Sequence, residues 1–141
     1  MNIVYYAHSG LRYLVLLAAL GALVVLARGL SGRRPYDRPA RMATAIYTGT
    51  LHLQIVLGIL LVILGRWYPA LMGHLTMMIL AVAAVSVLGG WAKRATDGKQ
   101  AYKYAFAGVA VSLLLILAGI ASIGRHPLQS RALDQLQAET R

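Results

Sequence analysis

Met42-Ala-Thr-Ala-Ile-Tyr-Thr-Gly-Thr-Leu-His-Leu-Gln-Ile-Val-Leu-Gly-Ile-Leu-Leu-Val-Ile-Leu-Gly65 is a run of residues with no formal charge, and its length decides the fold. A helix needs about 20 apolar residues, at about 1.5 Å each, to cross the hydrocarbon core of a bilayer. Working outward, the same kind of stretch recurs at Trp67–Ala92 and Tyr104–Gly124, and at Tyr13–Ala27 once the uncharged approach Met1–Leu11 is added. The reading is an all-α membrane protein, a four-transmembrane-helix up-down bundle over 1–127, with a short polar or amphipathic tail over 128–141.

Composition excludes most alternatives. Hydrophobic residues make up 59% of the 141-residue chain and charged residues 13%, about half the ordinary charged share. Four spans leave no room for a soluble catalytic domain, so any chemistry must sit between helices. The net charge of +10 does not indicate nucleic acid, because the cations fall in short connections beside apolar helices. Their expected roles are topology and contact with anionic lipid.

The absence of cysteine excludes disulfides, thiolate nucleophiles, iron–sulfur clusters and covalent haem attachment. The acids are Asp37, Asp97, Asp134 and Glu139, all outside the expected spans, which argues against a carboxylate proton pathway. There is no H-E-x-x-H set and no glycine-rich nucleotide loop. With no basic cluster before its apolar run, the first helix is expected to be retained rather than cleaved as a signal peptide.

The expected helices cover about Ile3–Ala27, Met42–Gly65, Leu71–Ala92 and Ala105–Ile123. Arg66, Trp67, Tyr68 and Pro69 mark a short interfacial link, so helices two and three are expected to be antiparallel neighbours. Segments Arg28–Arg41 and Lys93–Lys103 hold five and four of the fourteen Lys and Arg, while the link between helices two and three holds Arg66 alone. This bias places connections 28–41 and 93–103 in the cytoplasm and both termini outside; the expected location is a bacterial inner (plasma) membrane. Gly49, Gly58, Ala81, Ala84, Gly89, Gly90, Gly108, Ser112, Gly119 and Ser122 are candidates for close helix contacts. No inverted repeat of the kind found in transporters is evident.

His8, His52, His74 and His126 all fall in or at the ends of expected helices, where ionisable groups are costly and need partners. Imidazole is also the axial ligand of non-covalent haem. At about 1.5 Å per residue, His8 lies roughly 8 Å and His74 roughly 6 Å below the outer helix ends. They can therefore face one iron from two sides. His126 is a third candidate at the mouth of helix four.

His52 lies roughly 20 Å from the outer end of helix two, too deep to share that iron. It is a candidate axial ligand for a second tetrapyrrole, including the magnesium of a chlorophyll-type pigment, or a polar-network residue near Thr48. Gln54 points to a different face. Arg12, one turn after His8, is placed to meet a haem propionate, with Tyr5, Tyr13 and Arg66 around the same mouth; the competing role for Arg12 and the tyrosines is headgroup anchoring. Met77 and Met78 are read as gap fillers rather than sulfur ligands.

His8-Ser-Gly-Leu-Arg-Tyr13, Leu51-His-Leu-Gln-Ile55 followed by Gly58, and Gly73-His74-Leu75 before a methionine-rich apolar helix resemble small four-helix bacterial membrane proteins described as cytochrome b or cytochrome b561-like. The resemblance runs from His8 to about Gly119 and implies His8, His52 and His74, with Arg12, as the positions of interest. Gly73 and Leu75 depart from the acidic residue and proline that flank the third histidine in that pattern. Four mid-helix histidines are also lacking, so a single-haem relative is expected rather than a two-haem, ascorbate-linked reductase.

The functional expectation is a membrane electron-transfer protein or subunit holding haem b between helices, exchanging electrons with a quinone pool or a dehydrogenase. The alternative is a non-catalytic accessory subunit of a larger respiratory or photosynthetic complex, in contact with pigment or with no cofactor. Expected partners are the lipid bilayer, a quinone and other membrane-complex subunits, and no nucleic acid. Neither reading is a stand-alone enzyme.

Overall fold

The computed structural model describes residues 2–31 and 35–124. Four helices follow in order: α1 (Asn2–Leu30), α2 (Arg38–Ile63), α3 (Leu71–Arg94) and α4 (Gly98–Ser122). Each contains a window of mean hydropathy between 2.0 and 2.3, and no window is more than 39% buried within the chain. Large apolar side chains such as Leu17, Ile46, Val56, Ile79 and Leu114 consequently face outward. Helices apolar on their outer faces are stable against lipid rather than water, and the chain is a multi-pass membrane protein.

Helix α1 runs to Leu30 rather than Ala27 and α3 to Arg94 rather than Ala92, and two helix starts differ further from the charge-based expectation. Helix α2 begins at Arg38 rather than Met42, and α4 begins at Gly98 rather than Ala105. In each case an aspartate caps the helix: Asp37 accepts from the Ala40 amide at 3.1 Å, and Asp97 from the Gln100 amide at 3.0 Å. Caps satisfy the first free amides, so Arg38, Arg41, Lys99 and Lys103 ride on helical turns. Charge marks the edge of the hydrocarbon, not the end of the helix.

At the other end of α2, Gly65 adopts φ 85°. The Gly65 amide donates to Val62 and the Arg66 amide to Leu61, both at 3.0 Å. This is the Schellman closure that a left-handed glycine permits, and it turns the chain sharply into the short link before α3.

The helices form two hairpins, α1 with α2 and α3 with α4, joined mainly by α1 against α4; α2 and α3 touch only sparsely. Close approach is set by small residues. A side chain at Gly108 would crowd Leu88, one at Gly119 would crowd Met77 and Met78, and one at Gly29 would overlap the Tyr102 ring. A Cβ at Gly49, Gly89 or Gly90 would meet nothing within 4 Å, so no neighbouring helix approaches closely at those expected packing positions. The buried Tyr47 hydroxyl and Ser112 hydroxyl share a 2.7 Å hydrogen bond between α2 and α4.

One end of the bundle collects the beginnings of α1 and α3 and the ends of α2 and α4 around one cavity. The opposite end brings Pro35, Tyr36 and Arg41 beside Lys93, Ala95 and Thr96. The helices therefore alternate in direction, and the two cationic connections share one side. At that end Tyr36 meets Tyr102 edge-on, with ring centroids 5.2 Å apart. Burial raises the Tyr36 phenol above its ordinary pKa, keeping it a neutral hydroxyl bonded to Thr44 Oγ1 at 3.2 Å.

Candidate functional site

The cavity at the end carrying the α2–α3 link has a volume of about 580 Å³, within the range of small-molecule and cofactor sites. Its walls are mostly aliphatic: Val15, Leu51, Ile55, Val62, Leu75 and Ile116 are among them. Ile59 of α2 and Ile79 of α3 line it and are also exposed on the outer surface. Both belong to the sparsely packed α2–α3 seam.

Of the four residues singled out for cofactor contact, the fold brings three to this cavity: His8, Arg12 and His74. His8 of α1 lies with its Nδ1 3.2 Å from the backbone oxygen of Gln54 on α2. His74 of α3 lies with its Nδ1 2.9 Å from the backbone oxygen of Gly119 on α4. A carbonyl only accepts, so Nδ1 carries the proton in both rings, and in the neutral imidazole Nε2 presents the lone pair. Gly58 lets the His8 ring lie close to α2; a Cβ there would stand 3.1 Å from His8 Cε1.

Two arginines line the cavity beside tyrosine rings. The Arg12 guanidinium donates to the Tyr13 hydroxyl at 3.0 Å and lies 4.9 Å from the Tyr13 ring centre. Arg66 lies 4.4 Å from the Tyr5 ring centre, and both arginines line the cavity. Aromatic faces favour cations nearby, so the positive groups are held at the cavity.

His52 is placed elsewhere. It is exposed on the outer face of α2, its Nδ1 2.8 Å from the Thr48 carbonyl one turn back. The Thr48 hydroxyl itself donates to the Thr44 carbonyl at 2.8 Å. His126 lies outside the described residues, as does the tail from 128 to 141. Met78 is buried and, with Met77, packs against Gly119, a filling role.

Gln54 is the cavity residue whose importance the sequence reading missed. It is 8% exposed, its Nε2 donates to the His8 backbone oxygen at 2.9 Å, and that same nitrogen lies 3.4 Å from His8 Nε2. An amide side chain in the middle of an otherwise apolar span was the available signal, since such a group must find partners inside the bundle.

Among the described residues, no three His, Asp or Glu side chains gather to hold a metal ion. A haem asks less of the protein, because its ring supplies four nitrogens and only axial ligands are required. No family model matches the chain, and no curated protein or solved structure matches it either.

Proposed function

We propose that this protein is a membrane electron carrier, or an electron-transfer subunit, that holds one b-type haem in the cavity through His8 and His74. The observation that carries this reading is the arrangement of the two imidazoles. They come from different hairpins, and each is pinned at Nδ1 by a carbonyl of the neighbouring helix and lines the same apolar cavity. A hydrogen bond from the second nitrogen fixes the ring and its tautomer, the usual support of a metal-bound histidine.

The rest of the donor set fits the same group. Arg12 and Arg66 are placed to pair with ionised propionates, and the aliphatic walls suit the macrocycle. The 3.4 Å contact between Gln54 and His8 Nε2 is at the long limit of a hydrogen bond and is readily exchanged for ligation. When bound, haem supplies a reversible one-electron site, while the chain supplies orientation and charge balance. The cytochrome-like resemblance of the His8 and His74 motifs supports the same reading; with the cationic connections in the cytoplasm, both termini and the haem would lie on the outer side of a bacterial inner membrane.

The deciding experiment is a pair of spectra, oxidised and dithionite-reduced, of the protein purified in mild detergent. The expected result is a stoichiometric b-type signal that is lost in both His8→Ala and His74→Ala. A colourless, monodisperse wild-type protein sinks the reading, and so does a signal that persists in either variant. Because the chain has no cysteine, single cysteines placed at Tyr68 and Thr96 report orientation by impermeant labelling, with Tyr68 expected to label from outside.

His52 favours a second reading. An imidazole exposed near mid-span, whose hydrogen bond among the described residues is to its own helix, is suited to being covered by a neighbouring subunit or a pigment of a larger complex. Co-purification from gently solubilised membranes tests this, and a bound-chlorophyll spectrum lost in His52→Leu would favour it over the haem reading.

A further inference from the structure

The end of the bundle away from the imidazoles carries a second cavity, of about 260 Å³. Pro35 and Tyr36 before α2, Arg41 in its first turn, Ala92 and Lys93 in the last turn of α3 and Thr96 in the link to α4 line it. Part of the wall is fixed. The Tyr36 ring stands edge-on against Tyr102 and its hydroxyl is bonded to Thr44, while Ala92 is 1% exposed. The rest is cationic, with Arg41 coming from one hairpin and Lys93 from the other, both exposed. The carboxylates of this end are engaged elsewhere. Asp37 and Asp97 each accept an amide of the helix they cap, and neither lines the cavity. Two cations at one concavity with no carboxylate in its wall attract an anion, and the Thr96 hydroxyl adds a neutral donor.

Height and size narrow the choice of anion. Trp91 is exposed and meets Tyr104 edge-on, with ring centroids 5.7 Å apart. It immediately precedes Ala92 and Lys93, and an exposed tryptophan at the end of a span marks the headgroup level. The cavity is smaller than the range of about 300–1,000 Å³ usual for drug-sized ligands, so it suits a phosphate with its glycerol rather than a second ring cofactor. We propose that this cavity binds the phosphodiester of an anionic phospholipid of the phosphatidylglycerol type, with the phosphate paired to Arg41 and Lys93. Phosphatidylcholine carries the same phosphate next to a quaternary ammonium, which the two cations repel, so the anionic headgroup is preferred. The inference goes beyond the haem reading and is independent of it, because the two cavities share no residue.

The full chain, delipidated in nonionic detergent, is titrated with each lipid, and bound lipid is counted by native mass spectrometry. A single phosphatidylglycerol is expected to bind about tenfold more tightly than phosphatidylcholine, within what two near-surface cations supply. In the double variant Arg41→Gln, Lys93→Gln that preference should fall to within about twofold. The double variant Arg38→Gln, Lys99→Gln removes the same charge from exposed residues of the same two connections that do not line the cavity, and it should keep the preference. All four side chains are exposed, so the fold should stand, checked by the unfolding midpoint without lipid. If the first double variant unfolds, Lys93→Gln alone decides, with an expected loss of about threefold, half of the effect on a logarithmic scale.

Inorganic phosphate separates the two sources of the anion, and at the same concentration it should leave the bound lipid in place. Its displacing the lipid there would make the cavity a site for soluble phosphate and overturn the lipid assignment. Equal affinities for the two lipids in the wild type overturn the proposal, as does a preference that survives loss of Arg41 and Lys93. Equal losses in the two double variants overturn it as well, because they would show diffuse surface charge rather than a site.

Discussion

The two hairpins solve the same problem in different materials. Each takes a histidine from the first third of its first helix and fastens it to a carbonyl in the second half of its second, His8 to Gln54 and His74 to Gly119. The separations are 46 and 45 residues, so the halves share a device that their sequences do not advertise. In the α3–α4 hairpin the surroundings are backbone, methionine and close-packed glycine. In the α1–α2 hairpin they include a buried amide, an arginine one turn away and Gly58, against which only the His8 ring is close. The comparison teaches that position comes from the hairpin while polarity comes from the individual residues, which makes the two sides of the cavity chemically unequal.

The largest effect should come from disturbing the tighter hairpin. In Gly119→Ala the new carbon would stand 2.7 Å from Met78 Cε and 2.9 Å from Met77 Cβ. The methionine tip can swing away, but a Cβ cannot without its backbone, so α3 and α4 must separate. The expected destabilisation is about 1–3 kcal/mol, the usual range for overpacking, read as a lower unfolding midpoint in detergent. An unchanged midpoint would show that the α3–α4 contact is looser than its geometry.

A smaller loss is expected where the hairpins meet. Tyr47→Phe removes the hydroxyl bonded to Ser112 at 2.7 Å but keeps the ring. Hydrogen bonds between membrane helices average about 0.6 kcal/mol and reach about 1.7, so the midpoint should fall less than in Gly119→Ala. Ser112→Ala should cost a similar amount, and the double variant no more than either alone; additive losses would show that the two hydroxyls act separately.

Most of this architecture was legible in the sequence because a bilayer imposes a coarse rule. Charge-free length gives the spans, and lysine and arginine give the shared end of the two basic connections. Depth counted along each helix brought His8 and His74 to one level, since antiparallel helices sharing a membrane are read from the same surface. Helix starts were less legible: Asp37 and Asp97 extend α2 and α4 through charged turns that hydropathy leaves out. Azimuth was harder still. Nothing in the spacing of Leu51-His-Leu-Gln-Ile55 says whether His52 or Gln54 faces inward, because the helices are apolar on all sides and the usual amphipathic signal is missing.

The gentlest substitution is the most discriminating. Gly58→Ala adds a carbon 3.1 Å from His8 Cε1, so the ring must move by a few tenths of an ångström, and the cavity on its other side lets it do so. Stability should change by no more than about 0.5 kcal/mol, as for substitutions away from packed cores. The imidazole, however, leaves the position set by its bond to the Gln54 carbonyl, and any ligand held on Nε2 must follow. With haem bound as proposed, Gly58→Ala is therefore expected to keep the unfolding midpoint and to broaden or shift the electron paramagnetic resonance of the oxidised iron, whereas Gly119→Ala lowers the midpoint as well. If Gly58→Ala leaves both readings untouched, His8 is not in contact with the group that gives the signal, and the inequality between the hairpins is structural only.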